Sequence, residues 1–109
     1  MKIAVFPGSF DPITQGHLDI AERACGFFDK VIVAIGINEN KKYLFSLEQR
    51  HAWLNEVFKN NPKIEISEYR GLTVNYCQEV GAGYIIRGLR NSSDFDYEKT
   101  ISQLNHIIG

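Results

Sequence analysis

The side chains of this 109-residue chain best suited to grip an anion are Ser9, His17, Lys41, Lys42, Arg87 and Arg90. Hydroxyl, imidazole, ammonium and guanidinium groups of this kind donate to phosphate or carboxylate oxygens and neutralise their charge. No Ser/His/Asp or Cys/His arrangement suited to nucleophilic catalysis is evident. Ser9 and His17 share one stretch, Pro7-Gly8-Ser9-Phe10-Asp11-Pro12-Ile13-Thr14-Gln15-Gly16-His17. An apolar run at residues 2–6 precedes it, as a buried strand would, and Pro7, Gly8 and Pro12 break the pattern. Thr14 is a suitable helix N-cap, with Gly16 and His17 in the first turn that follows. Strand, loop and helix start in succession present free N–H groups and the positive end of a helix dipole to one point, which favours a phosphate-like anion. The same dipole is expected to lower the pKa of His17 and leave its neutral N–H as the working form.

The elements that hold these groups alternate. After the strand at 2–6, a helix is expected over about 15–28, with Leu18, Ala21, Cys25 and Phe28 on one stripe. Residues 31–35 are continuously apolar, as in a parallel strand covered on both faces. The polar loop 36–45 carries Lys41 and Lys42. Ser46-Leu47-Glu48-Gln49 matches a capping box and starts a helix at about Leu47, with Leu47, Leu54, Val57 and Phe58 inward and Trp53 beside them. Asn60-Asn61-Pro62 stops it. Residues 63–67 alternate like a half-exposed edge strand. A third helix runs over about 73–80 and ends at Gly81. Residues 84–86 form a short buried strand, and Ser92 or Ser93 caps a fourth helix carrying Phe95, Ile101, Leu104 and Ile108. On that helix Asp94, Asp96 and Glu98 supply favourable charge to the first turns.

This βαβαβαβα order predicts an α/β fold: one domain over 1–109, a Rossmann-like open parallel sheet with helices on both faces. Such sheets bind ligands beyond the carboxyl ends of their strands. Here those ends are the loops 7–16, 36–45, 68–72 and 87–93, and most of the anion-binding side chains fall in them. Bulk composition adds little: net charge is −1, with 44% hydrophobic and 23% charged residues. That balance gives no sign of nucleic-acid binding. No apolar stretch approaches the ~18 residues of a membrane span, and no signal peptide is visible, so a cytoplasmic protein with no membrane partner is expected. Cys25 and Cys77 read as unpaired thiols. His51 and His106 lack ligand partners at useful spacing, so no metal site made of protein side chains is expected. Trp53, Phe58 and Tyr76 read as packing residues.

Three blocks, PGSFDPITQGH, NKKYLF and IIRGLRNSSDFDYE, resemble the bacterial phosphopantetheine adenylyltransferases, in which TQGH stands for the TxGH signature of the nucleotidylyltransferase superfamily. The likeness covers the whole chain. It implies transfer of the adenylyl group of ATP to 4′-phosphopantetheine, giving dephospho-coenzyme A and pyrophosphate, with Mg²⁺ accompanying ATP. The nucleophile is already an oxyanion and the leaving group is Mg-pyrophosphate, so such a site needs positioning and cations more than a protein acid or base. The resemblance gives His17, Lys41 and Arg90 catalytic roles. It places Ser9, Phe10, His17, Gly88, Leu89, Arg90 and Glu98 on ATP. It sets Ser9, Lys41, Leu72, Thr73, Arg87, Leu104 and Asn105 on phosphopantetheine. It also implies a homohexamer and occupancy of the same site by coenzyme A. The family pattern continues past Gly109 with a further strand, helices and an ISST-type loop, so part of the nucleotide site is expected to be absent from this chain. The residues leave open another adenylyl- or cytidylyltransferase of the superfamily, or a nucleotide-binding piece with impaired turnover.

Overall fold

The computed structural model describes residues 1–88 and 95–98, of which 95–98 are described as backbone only. Its elements are β1 (Ile3–Gly8), α1 (Gln15–Ala24), β2 (Lys30–Ile37), α2 (Leu47–Phe58), β3 (Ile64–Arg70), α3 (Thr73–Val80), β4 (Tyr84–Gly88) and β5 (Phe95–Glu98). The sheet order is β3-β2-β1-β4-β5. β1 to β4 run parallel, and β5 is antiparallel to β4.

Strand alternation sorts the core into two layers. Ala4, Phe6, Val31, Val33, Ile35 and Ile86 face one way, under Ile20, Ala21 and Ala24 of α1 and Leu54 and Phe58 of α2. Val5, Ile32 and Ala34 face the other way, against Tyr76 and Cys77 of α3 and the following Ala82. Helices therefore cover both faces, as the continuous apolar run at 31–35 predicts, and β3 is the half-exposed edge.

The strand order reverses at β1. β2 and β3 extend to one side of it and β4 to the other, which makes β1/β4 the switch point where ligands enter such sheets. The pairing there is short. β1 and β2 align from Ile3↔Lys30 to Gly8↔Ile35, whereas β1 and β4 align only at Ala4↔Tyr84 and Val5↔Ile85. Pro7 explains the early stop. The Ile3 carbonyl accepts from Gly83 on the β4 side, while the Lys2 carbonyl accepts from Asp29 and Lys30 on the β2 side. By that alternation Val5 and Pro7 also face β4, and a proline has no N–H to continue the ladder.

Some expectations need correction. The helix expected over 15–28 ends at Ala24, and residues 25–28 tighten into a turn closed by Cys25, Gly26 and Phe27 amides on the Glu22, Arg23 and Ala24 carbonyls. Val57 is exposed rather than buried, since the inward stripe of α2 is Arg50, Leu54 and Phe58. Residues 95–98 are a strand and not the start of a helix. Phe-Asp-Tyr-Glu has period two, and steps of three and four begin only at Ile101, so this segment adds to the open edge of β4 and Asp96 and Glu98 are not first-turn helix charges. Of the residues assigned to that fourth helix, Ser92, Ser93, Asp94, Ile101, Leu104, His106 and Ile108 lie outside the described residues. Cys25 and Cys77 are unpaired. Burial raises both thiol pKa values, that of Cys77 to about 11.

Candidate active site

The loop after β1 is shaped around an aromatic wedge. Phe10 has a φ of 47°, a left-handed backbone that costs a non-glycine residue about 1 kcal/mol. Its ring is 2% exposed and meets Phe6 edge-on at 5.4 Å and His17 at 5.0 Å. A Cβ at Gly8 would lie 3.1 Å from that ring, so the glycine is what lets it in. Packing of this density over-determines the strained turn.

His17 is the third residue of α1 and closes a reciprocal cap. Thr14 Oγ1 accepts from the His17 amide at 3.3 Å, and His17 Nδ1 accepts from the Thr14 amide at 2.9 Å. An Nδ1 that accepts leaves the proton of the neutral ring on Nε2. Burial of the ring lowers its pKa from the ordinary 6.5. The direction agrees with the sequence expectation, and the cause that stands out is burial against Phe6 and Phe10. At the head of α1 there is thus a neutral imidazole with one defined donor, beside the dipole's positive end.

The second loop, residues 38–46, is tied back onto the first. Asp11 uses both carboxylate oxygens on it, accepting from the Leu44 amide at 2.5 Å and the Phe45 amide at 2.8 Å. Arg50, only 3% exposed, donates from Nε to the Phe45 carbonyl at 3.1 Å and from Nη1 to the Ser9 carbonyl at 2.9 Å. Its guanidinium lies 4.1 Å from the centre of the Tyr43 ring. The Tyr43 hydroxyl bonds the Asn38 amide and the Gly36 carbonyl, and Lys41 Nζ stands 5.5 Å from the centre of the same Tyr43 ring.

At the carboxyl end of β3, Gly71 turns the chain at φ 81° into α3. Leu72 is the N-cap residue and makes no side-chain cap bond, so its side chain is left 65% exposed. Thr73 Oγ1 and Tyr69 Oη lie 2.8 Å apart, and Tyr69 stacks on Tyr76. A cleft of about 460 Å³ lined by Ile37, Asn38, Glu39, Arg70 and Gly71 opens here. Arg87 is exposed in β4, on the same face as Ile85 and hence on the α3 side of the sheet.

A family profile described as cytidylyltransferase-like matches residues 5–109. The phosphopantetheine adenylyltransferase of Christiangramia forsetii is 55% identical over 106 residues, covering 97% of this chain and 70% of that protein. The chain belongs to the phosphopantetheine adenylyltransferases. The Leuconostoc citreum enzyme of that name is 53% identical over 99% of this chain and 68% of its own length. Two solved structures share the fold. A lipopolysaccharide core biosynthesis protein from Thermoplasma volcanium superposes with a TM-score of 0.59 at 18% identity, over 78% of this chain and 72% of its own. A bifunctional NMN adenylyltransferase/ADP ribose pyrophosphatase from Francisella tularensis gives 0.55 at 28% identity, over 72% of this chain and 25% of its own.

For a phosphopantetheine adenylyltransferase the residues singled out in sequence fall into three groups. Ser9, Phe10 and His17 share the loop and helix start after β1, and Lys41 sits in the loop tethered to it. Leu72 and Thr73 open α3, while Arg87 and Gly88 end β4, so Arg87 is a strand residue rather than part of a loop at 87–93. Glu98 pairs with Ile85 in β5. Leu89, Arg90, Leu104 and Asn105 lie outside the described residues. Asp11, Tyr43 and Arg50 were not expected. For Arg50 a signal existed: it stands three after Leu47 and four before Leu54, on the buried stripe of α2, where an arginine must find polar partners inside. Asp11 and Tyr43 sit in loops, with no periodicity to mark them.

Proposed function

We propose that this chain transfers the adenylyl group of ATP to 4′-phosphopantetheine in the crevice between β1 and β4. An oxygen of the phosphopantetheine phosphate forms a bond to the α-phosphorus of ATP. The bond from that phosphorus to the oxygen bridging to the β-phosphate breaks, and its electron pair leaves with pyrophosphate. The observation that carries this reading is His17, held by Thr14 as a neutral Nε2–H donor at the head of α1. A donor fixed before substrate arrives stabilises charge developing on the α-phosphate without reorganisation.

The other roles belong to the same proposal. Ser9 and the Phe10 amide contact phosphate, Lys41 bridges the two reacting phosphates, and Arg87 holds the acceptor phosphate. Leu72, Thr73, Leu104 and Asn105 line the pantetheine arm. Gly88, Leu89, Arg90 and Glu98 take the nucleotide, with Arg90 joining His17 and Lys41 in catalysis. Mg²⁺ enters on ATP's own oxygens. The donor set supports that route, because Asp11, the carboxylate of the first loop, already has both oxygens on amides. A bound metal ion neutralises polyphosphate charge. A homohexameric assembly, a cytoplasmic site of action and competition by coenzyme A complete the reading.

The test is pyrophosphate release by the chain with ATP, Mg²⁺ and a panel of acceptors. Release that needs phosphopantetheine is expected. Release with nicotinamide mononucleotide or a cytidylyl acceptor instead would overturn the substrate assignment. ATP binding without release would identify a nucleotide-binding module.

A further inference from the structure

We propose that Arg50, acting with Asp11 and Tyr43, is a positioning residue that fixes Lys41 relative to His17 by locking the loop after β2 onto the loop after β1. This rests on the proposed role of Lys41 at phosphate. Lys41 is exposed, and among its neighbours the Tyr43 ring is the one whose own place is held from both ends. The Tyr43 hydroxyl bonds the end of β2 through Gly36 and Asn38, and its ring meets the Arg50 guanidinium.

Arg50 is the charged side chain buried among the described residues, and no carboxylate accounts for it. Its hydrogen-bond partners are two backbone carbonyls, one in each loop: Ser9 and Phe45. Desolvating a guanidinium is unfavourable unless its donors are matched, and a planar fork matches two acceptors at once as an ammonium does not. Asp11 does the converse, being a carboxylate of the first loop on two amides of the second. The two charges do not pair with each other in the recorded bonds. Each crosses between loops instead, so the loops hold together at two points of opposite sign. A cation that must meet a polyphosphate in line gains from such a brace, since small displacements of a positioning group cost large factors in rate.

The experiment uses the 109-residue chain with inorganic pyrophosphate as probe, followed by amide NMR, in wild type, Asp11→Asn, Arg50→Lys, Lys41→Ala and the two doubles with Lys41→Ala. Asp11→Asn and Arg50→Lys are expected to speed exchange of the Leu44 and Phe45 amides at least tenfold. Each is expected to weaken pyrophosphate binding about as much as Lys41→Ala, and each double is expected to be no weaker than Lys41→Ala alone. A merely structural role would lower affinity equally with or without Lys41, and additive losses would overturn the proposal. Arg50→Lys keeps the charge and much of the stem, so it serves as the arm least exposed to misfolding. Normal affinity in both single variants alongside a loss in Lys41→Ala would overturn this inference and leave the phosphate role of Lys41 standing. Normal affinity in Lys41→Ala would overturn both.

Discussion

The carboxyl edge of the sheet is built in two styles. Around β1 and β2 the polar groups are buried or cross-linked: Arg50 and Asp11 join two loops, Thr14 and His17 cap each other, and Phe10 is wedged between Phe6 and His17. Around β3 and α3 the N-cap residue has no side-chain cap, Leu72 stands in solvent, and the Arg70–Glu39 pair is exposed. Surface pairs of that kind contribute about 0–1 kcal/mol. The contrast matches the two halves of the proposed acceptor. A phosphate that must attack in line needs donors held to fractions of an ångström. A flexible apolar arm needs contact area and tolerates adjustment.

The largest effect expected of a single change lies in the rigid half. His17→Ala should keep the fold and lower turnover by about 10²–10³, the size reported for loss of one preorganised donor. Steady-state pyrophosphate release checks it, and wild-type turnover in a folded variant would remove His17 from the mechanism.

Glycine substitutions divide the halves next. Gly8→Ala places a methyl 3.1 Å from the buried Phe10 ring and should cost about 1–3 kcal/mol in denaturant unfolding. Gly71→Ala meets no atom within 4 Å, and its penalty is the left-handed backbone alone, about 1 kcal/mol. Equal losses would mean that Phe10 can yield and that its loop is less constrained than its packing implies.

The helix starts give a finer comparison. Thr14→Ala removes a working cap and should cost about 1 kcal/mol. Leu72→Ala removes an exposed side chain that caps nothing, so stability should stay within about 0.5 kcal/mol. If Leu72 lines the pantetheine arm, that variant should instead raise the KM for phosphopantetheine.

The smallest effect is a titration. The folded-state pKa of His17 lies below 6.5, because burial disfavours the charged ring. Between the folded value and 6.5 the unfolded chain binds the proton more tightly. The stability contributed by the neutral ring is therefore complete above pH 6.5 and declines as pH falls toward the folded value. Two-dimensional NMR of the imidazole should place the midpoint below 6.5. A midpoint above 6.5 would contradict the neutral donor.

Much of this was legible because local rules and packing agree. The apolar run at 31–35 announced a covered parallel strand, Gly81 in the left-handed region closed α3 at Val80, and Ser46 capped α2 at Leu47. The clustering of candidate residues at one edge of the sheet followed from strand order, since His17, Lys41 and Arg87 all sit near carboxyl ends. What stayed hidden depends on partners distant in sequence. Residues 95–98 pair with β4, and a period-two pattern only four residues long does not by itself reveal the edge that receives it. The position of Arg50 on the buried stripe of α2 was legible, but its acceptors lie five and 41 residues away, in loops without periodicity.

Pro7 has one more consequence. By withholding a donor from β4 it acts as a stop on a zipper, and it does so through its covalent ring rather than through any contact a ligand must make. The end of the ladder between the two strands is thus set before substrate arrives. A strand end fixed in advance spares a ligand the cost in affinity that a ladder broken on demand would impose.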